Sequence, residues 1–283
     1  MLFRSITSGQ EVFVRLKYLV DSADSLSQMQ KNFNDQVDSI LAQMPDSGDF
    51  EKELFLHDYL IRQVEYSDAA AADSSGENAF AFTAYGAIIN KSAVCEGYAR
   101  AMQLLLNKAG IGCYLITGKV SGTDHMWNIV TIDGARYHLD ATWNDSIKLT
   151  QNQELSHLYF NVTDEAISAD HTDFIPQGCD SKANNYFVRM NRYFTYYDSY
   201  VDDVITQEMI KCAQIGERLI EFSFHNQDSF GQAYDALITQ SGVFSLIENA
   251  NKSLTTVKIK PDSLQLGSSS EKNNILTLII DFS

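Results

Sequence analysis

Most of the features that would place this sequence in a class at once are missing. No run approaches the roughly 18 consecutive apolar residues of a membrane-spanning helix. The opening stretch "MLFRSITSGQEVFVRLKYLV" lacks the basic-then-apolar order of a secretory signal. The expectation is a chain with no transmembrane segment. Basic residues are scarce, with 21 Lys and Arg against 37 Asp and Glu and a formal charge of −16. That balance argues against a nucleic-acid surface or a polybasic membrane patch, since both need concentrated positive charge. Cysteines number four, Cys95, Cys113, Cys179 and Cys212, with neither CxxC spacing nor the density of a disulfide scaffold. Neither a metal nor a cofactor is expected. No internal repeat or low-complexity tract is present.

What is there suffices for a large fold. The chain has 283 residues, 45% of them hydrophobic, enough for a main domain with a smaller appendage. Periodicity predicts helices over about 24–41 and 49–64, the second with Phe55, Tyr59, Leu56 and Leu60 on one stripe. A loop rich in Ala, Asp and Ser follows over 67–76, and then a short helix over "NAFAFTAYGAIIN". The stretch "KSAVCEGYARAMQLLLNKAGI" reads as an amphipathic helix that starts at Cys95 and stops at Gly110. Three strand-like runs come next, "GCYLITGKV", "HMWNIVTI" and "ARYHLDATW", the last two separated by Asp133 and Gly134. Helices first and antiparallel strands after predict an α+β domain. Residues 151–194 read as an irregular polar loop with a short strand inside. Beyond Tyr196 the pattern predicts a small α+β appendage: helices near 202–213 and 229–239, and strands "RLIEFSF", "SLTTVKIK" and "ILTLIIDF". The resulting division is an N-terminal extension over 1–23, a main domain over 24–195 and a C-terminal domain over 196–283.

Cys113, in a strand-like run, and Cys212, in a helix-like one, read as buried small hydrophobes. Cys179 lies in a loop-like stretch without a nameable partner. Cys95 is different, because it begins a helix on the same stripe as Tyr98, Met102 and Leu105. Its sulfur would be half buried in the field of the helix's partial positive charge, with Glu96 opposing. The helix alone leaves it open between packing and chemistry.

The hairpin bears on that choice. If Asp133-Gly134 forms a two-residue turn, Ile132 faces Ala135 and Thr131 faces Arg136. Counting back, Trp127 faces Asp140 and His125 faces Thr142. Alternation then puts His125, Trp127, Ile129, His138 and Asp140 on one face, and Met126, Asn128, Val130, Tyr137 and Leu139 on the other. His125 and Asp140 are diagonal neighbours with backbones roughly 7–8 Å apart, a gap their side chains can close. Register selects His125 over His138. A nucleophile, a base within its reach and a group orienting that base make an acyl-transfer site. Cys95, His125 and Asp140 supply all three.

The segment from about Tyr85 to Asp145, with "AYGAIINKSAVCEGYARAMQLLLNKAGI" and "HMWNIVTIDGARYHLDATWND", resembles the bacterial transglutaminase-like superfamily, whose core is shared in outline with papain-like cysteine proteases. "LHDYLIRQVEYS" and "LYFNVTDEAISADHT" echo the same family's flanking elements. The resemblance implies a catalytic Cys95, His125 and Asp140 in that chain order. It also implies acyl transfer on peptide or protein amides through a thioester, as peptidase, amidase or transglutaminase; the alternative is a catalytically silent interaction domain at a cell surface. The backbone N–H of Cys95 would be one oxyanion donor. A second, of the aromatic kind seen in transglutaminases, would be Tyr85 or Trp143, while Trp127 would shield the His–Asp pair. A coenzyme-dependent acetyl transfer and a zinc site through Cys95, His125 and Asp140 have less support. The expected partner is a peptide or protein substrate. The family suggests a secreted or cell-envelope setting.

Overall fold

The computed structural model describes residues 2–8, 11–17, 20–73, 75–146, 155–266 and 274–283, the side chains of 2–17 and Ser146 excepted. An antiparallel hairpin comes first: β1 (Leu2–Ser8) and β2 (Glu11–Lys17), paired from Leu2↔Lys17 to Ser8↔Glu11. The Ser22 side chain then accepts from the Ser25 N–H and starts α1 (Ala23–Leu41). In α2 (Asp49–Gln63) the line facing the core is Glu53, Leu56, His57 and Leu60, each 1% exposed or less. Phe55 and Tyr59 of the expected stripe are only half buried, because they sit at the margin of that line, with ring centroids 6.3 Å apart.

The strand β3 (Glu65–Tyr66) leads into α3 (Asp68–Ala71), whose first turn is capped by Ser67. Ser74, within the expected 67–76 loop, lies outside the described residues. The single helix expected over 78–90 is a tight 3-10 turn, Ala79–Phe82, and a wider π turn, Gly86–Asn90, which ends at Lys91 with a left-handed φ of 58°. That reversal lets β4 (Ser92–Ala93) run parallel to β3, pairing Glu65↔Ser92 and Tyr66↔Ala93. The helix α4 (Cys95–Lys108) follows at once and closes at Gly110, as its sequence pattern requires.

Three strands consecutive in the chain then pair antiparallel, β5 (Gly112–Val120), β6 (Thr123–Ile132) and β7 (Ala135–Leu139), the three longest of a four-stranded sheet. Asp133 and Gly134 have φ of 51° and 78°, the values of the tight mirror-image turn that matches strand twist. The register counted from sequence holds, with Ile132↔Ala135 and Thr131↔Arg136. The third strand-like run stops early, because its ladder ends at Asn128↔Leu139 and the chain turns into α5 (Ala141–Ser146). Asp140 falls at that junction. Asn107 locks α4 to β5 by donating to the Cys113 carbonyl and accepting from the Cys113 N–H, both at 3.0 Å.

By contacts the chain groups into two units, residues 1–142 with 172–175, and residues 143–171 with 176–283. In the second unit, the stretch expected as a polar loop is well packed. Ser156, Phe160, Asn161 and Ile167 are 0% exposed, and α6 (Asp164–Ile167) lies within it. Residues 151–154 of that reading lie outside the described residues. The short strand β8 (His171–Thr172) and α7 (Tyr186–Arg189) precede the C-terminal part. There β9 (Tyr193–Phe194), α8 (Ser199–Ile215), β10 (Leu219–Phe224), α9 (Gln227–Tyr234), α10 (Val243–Ser253), β11 (Gln265–Leu266) and β12 (Ile275–Ile279) build one sheet of order β11-β12-β10-β9 with helices packed on it. Its core includes Phe222, Leu276 and Leu278 with Ile205, Met209 and Ile247, all 0% exposed. The strand expected over "SLTTVKIK" is absent. Asn251 of α10 bonds both the N–H and the carbonyl of Ile259 at 2.8 Å and folds the segment back, leaving a single bridge, Ile259↔Phe282. Among the described residues no helix is long and apolar enough to cross a membrane.

Candidate active site

Cys95 occupies the first helical position of α4, after an extended Val94 that offers no side-chain cap. The first N–H groups of a helix have no carbonyl in a preceding turn. At Cys95 they stand beside the sulfur. Close packing of this turn explains the glycine of "CEG": a Cβ at Gly97 would lie 2.3 Å from the Ala81 carbonyl oxygen. That same oxygen accepts from the Val94 N–H at 3.0 Å.

His125 on β6 and Asp140 at the end of β7 meet as the hairpin register requires, with Nε2 to Oδ2 at 2.5 Å. Both are buried, at 9% and 1% exposure. The Cys95 side chain is near enough to help raise the His125 pKa, and the two residues line one cleft. Burial acts to lower the pKa of His125. The charge and hydrogen bond of Asp140, and then those of Cys95, outweigh it and push the imidazole up to about 10.

A cleft of about 530 Å³ opens at Cys95 and His125. Phe82 and Met126 contribute apolar walls, and Glu96, Lys119, Asp124 and Asp173 a charged rim. Glu96 is bonded to Arg100 at 2.9 Å and Asp124 to Lys119 at 2.9 Å.

The other face of β6 carries Asn128, the polar exception in that apolar row. Its Nδ2 donates to the Ala99 carbonyl at 2.9 Å, tying the helix of Cys95 to the strand of His125. On the His125 face, Trp127 stacks on His125 with ring centroids 5.7 Å apart and 19° between planes. Its indole N–H donates to His138 Nδ1 at 2.9 Å, which withholds it from any substrate. Phe174 stands edge-on over Trp127 and His138, at 5.6 and 5.4 Å.

The rings of the two expected aromatic donors pack against other aromatic side chains. Tyr85 lies between Phe33 and Phe80, with ring centroids at 5.9 and 5.3 Å. Trp143 belongs to the second unit and packs edge-on against Tyr159 and His171. Sequence reasoning passed over Tyr66. The β3–β4 pair sets it opposite Ala93, two residues before Cys95. Burial raises the pKa of its hydroxyl, and the charge of Cys95 is the next cause, so the two groups are within electrostatic reach. The signal lay in "VEYS", already noted as a flanking echo. Of the other cysteines, Cys113 has its thiol pKa raised by burial, with Glu53 adding to it, and burial pushes Cys212 up to about 11. Cys179 is 0% exposed.

Residues 38–141 match the family model of the transglutaminase-like superfamily, and this segment is a transglutaminase-like core. The chain is similar to the kyphoscoliosis peptidase of Mus musculus, 24% identical over 168 residues, which covers 55% of this chain and 25% of that protein. The kyphoscoliosis peptidase of Homo sapiens is 24% identical over 123 residues, 39% of this chain and 18% of that one. The chain thus spans a quarter or less of the length of these relatives. A solved structure described as a TGase aligns with a TM-score of 0.39 at 17% identity, covering 50% of this chain and 37% of that one.

Proposed function

We propose, from the premise that residues 38–141 form a transglutaminase-like core, that this chain is a cysteine acyl-transfer enzyme acting on peptide or protein amides. The carrying observation is that His125 bonds Asp140 with one ring nitrogen and lines an open cleft together with Cys95, whose side chain helps raise the His125 pKa.

In the mechanism, the Cys95 proton already rests on His125, whose raised pKa keeps the imidazole charged at neutral pH, and Cys95 Sγ attacks the amide carbonyl carbon to form a C–S bond. The C–N bond then breaks, and His125 hands that proton to the departing amine. A thioester remains on Cys95. Attack by water gives the acid; attack by a second amine gives a new amide. Asp140 holds the imidazole in orientation and stabilises its charged form. The Cys95 backbone N–H is the first donor to the oxyanion, and the Tyr66 hydroxyl the second.

The experiment compares alkylation of Cys95 by iodoacetamide in the native chain and in His125→Ala. The native rate at neutral pH should exceed that of free cysteine, and the variant should fall back toward it. Equal rates in the two proteins would sink the proposal and leave a silent interaction domain. For the active chain, incubation with a peptide amide and a primary amine, read by mass spectrometry, separates hydrolysis from amide exchange.

A further inference from the structure

The second unit contains a cleft of its own, about 340 Å³, lined only by residues of that unit. Its floor is apolar, with Val162, Phe187, Phe224 and Ile275 at 7% exposure or less. Two exposed side chains of opposite sign line it, Lys182 and Glu165, and neither has an ion-pair partner among the described residues. The Lys182 ammonium sits 5.5 Å over the Tyr193 ring. In the wall, Asn274 Oδ1 is buried and has no hydrogen-bond partner among the described residues.

We infer that this cleft binds a small zwitterion, a free amino acid or dipeptide, with Lys182 taking its carboxylate and Glu165 its ammonium group. A ligand of one sign would leave one of the two charges unmatched. A buried amide oxygen without a donor is costly, so a small rotation of the Asn274 side chain toward a ligand N–H would relieve it. The volume lies near the lower end of the roughly 300–1,000 Å³ of small-molecule sites, which suits one or two residues. The apolar floor takes an aliphatic or aromatic side chain. None of this depends on the chemistry proposed at Cys95.

The test uses the whole chain, with Cys95 alkylated and unalkylated, and calorimetric titration of leucyl-leucine, its C-terminal amide and its N-acetyl form. The free dipeptide should bind tightest. Amidation and acetylation should each weaken binding about three- to five-fold, the worth of one exposed charge pair. Lys182→Gln should abolish the penalty for amidation and Glu165→Gln the penalty for acetylation; both residues are exposed, so folding is retained. Cys95 alkylation should change nothing. Equal binding of the three compounds, no binding at millimolar concentration, or loss of binding on Cys95 alkylation would each overturn the inference.

Discussion

Asn128 on β6 donates a hydrogen bond to the Ala99 carbonyl on α4, at 2.9 Å, and so joins the strand of the candidate base to the helix of the candidate nucleophile. Asn128 is 1% exposed, and Ala99 lies one helical turn past Cys95. A bond in this place sets distance as well as stability, because the strand and the helix cannot slide without breaking it.

Asn128→Leu should therefore cost more than folding. Loss of the amide leaves the Ala99 carbonyl short of a buried donor, a destabilisation of about 1–3 kcal/mol, read by urea denaturation. Cys95 alkylation should slow well below the native rate at temperatures where the variant is fully folded. An unchanged rate in folded protein would remove Asn128 from the positioning role.

The imidazole of His125, held at about 10 against an ordinary 6.5, fixes the pH behaviour. A pKa raised by folding contributes stability that is complete below about 6.5 and is lost as pH rises through about 10. The rate of Cys95 acylation should likewise hold through neutrality and fall on the alkaline side near 10. Asp140→Asn removes the largest influence that raises this pKa, so its alkaline limb should move toward neutrality by at least about one pH unit. A limb that stays in place would mean that Asp140 does not set it.

Tyr66→Phe separates transition-state stabilisation from nucleophile activation. Turnover of a peptide substrate should fall about 10²-fold, the usual scale for one oxyanion donor, while iodoacetamide, which forms no oxyanion, should react with Cys95 at an unchanged rate. Tyr85→Phe should leave both rates alone, since its ring is packed between Phe33 and Phe80.

Gly97→Ala tests the tight crossing beneath the first turn of α4. Its new methyl group would lie 2.3 Å from the Ala81 oxygen and 2.8 Å from Ala93 Cβ, neither at the end of a flexible side chain. Overpacking of this kind costs about 1–3 kcal/mol, and thermal unfolding should show a corresponding fall in Tm. A variant as stable as the native chain would show that the 81–83 segment yields without strain.

How much of this was legible in the residues depended on how local each signal was. The pairing of His125 with Asp140 followed from one turn, Asp133-Gly134, and from counting, because strand alternation is rigid. The start of α4 and its stop at Gly110 were equally local. Tyr66 was not found, since its place beside Ala93 depends on a two-residue parallel pair closed across 26 intervening residues, with nothing periodic to announce it. The packed state of 155–171 was missed for the same reason. Ser156 Oγ and the His157 N–H both reach the buried Glu221 of β10, 65 and 64 residues on, and no local pattern carries that attachment. The pattern change near 196 and the grouping by contacts at 143 thus answer different questions about one chain.

Val94, finally, is an unusual residue to leave at the head of a helix. Serine, threonine, aspartate or asparagine there would steady α4 by about 1 kcal/mol, and valine forgoes that. If an acyl oxygen settles on those N–H groups during reaction, the substrate itself becomes the missing cap, present only while charge develops. A better-capped helix would then be a stabler protein with a site already filled by its own side chain.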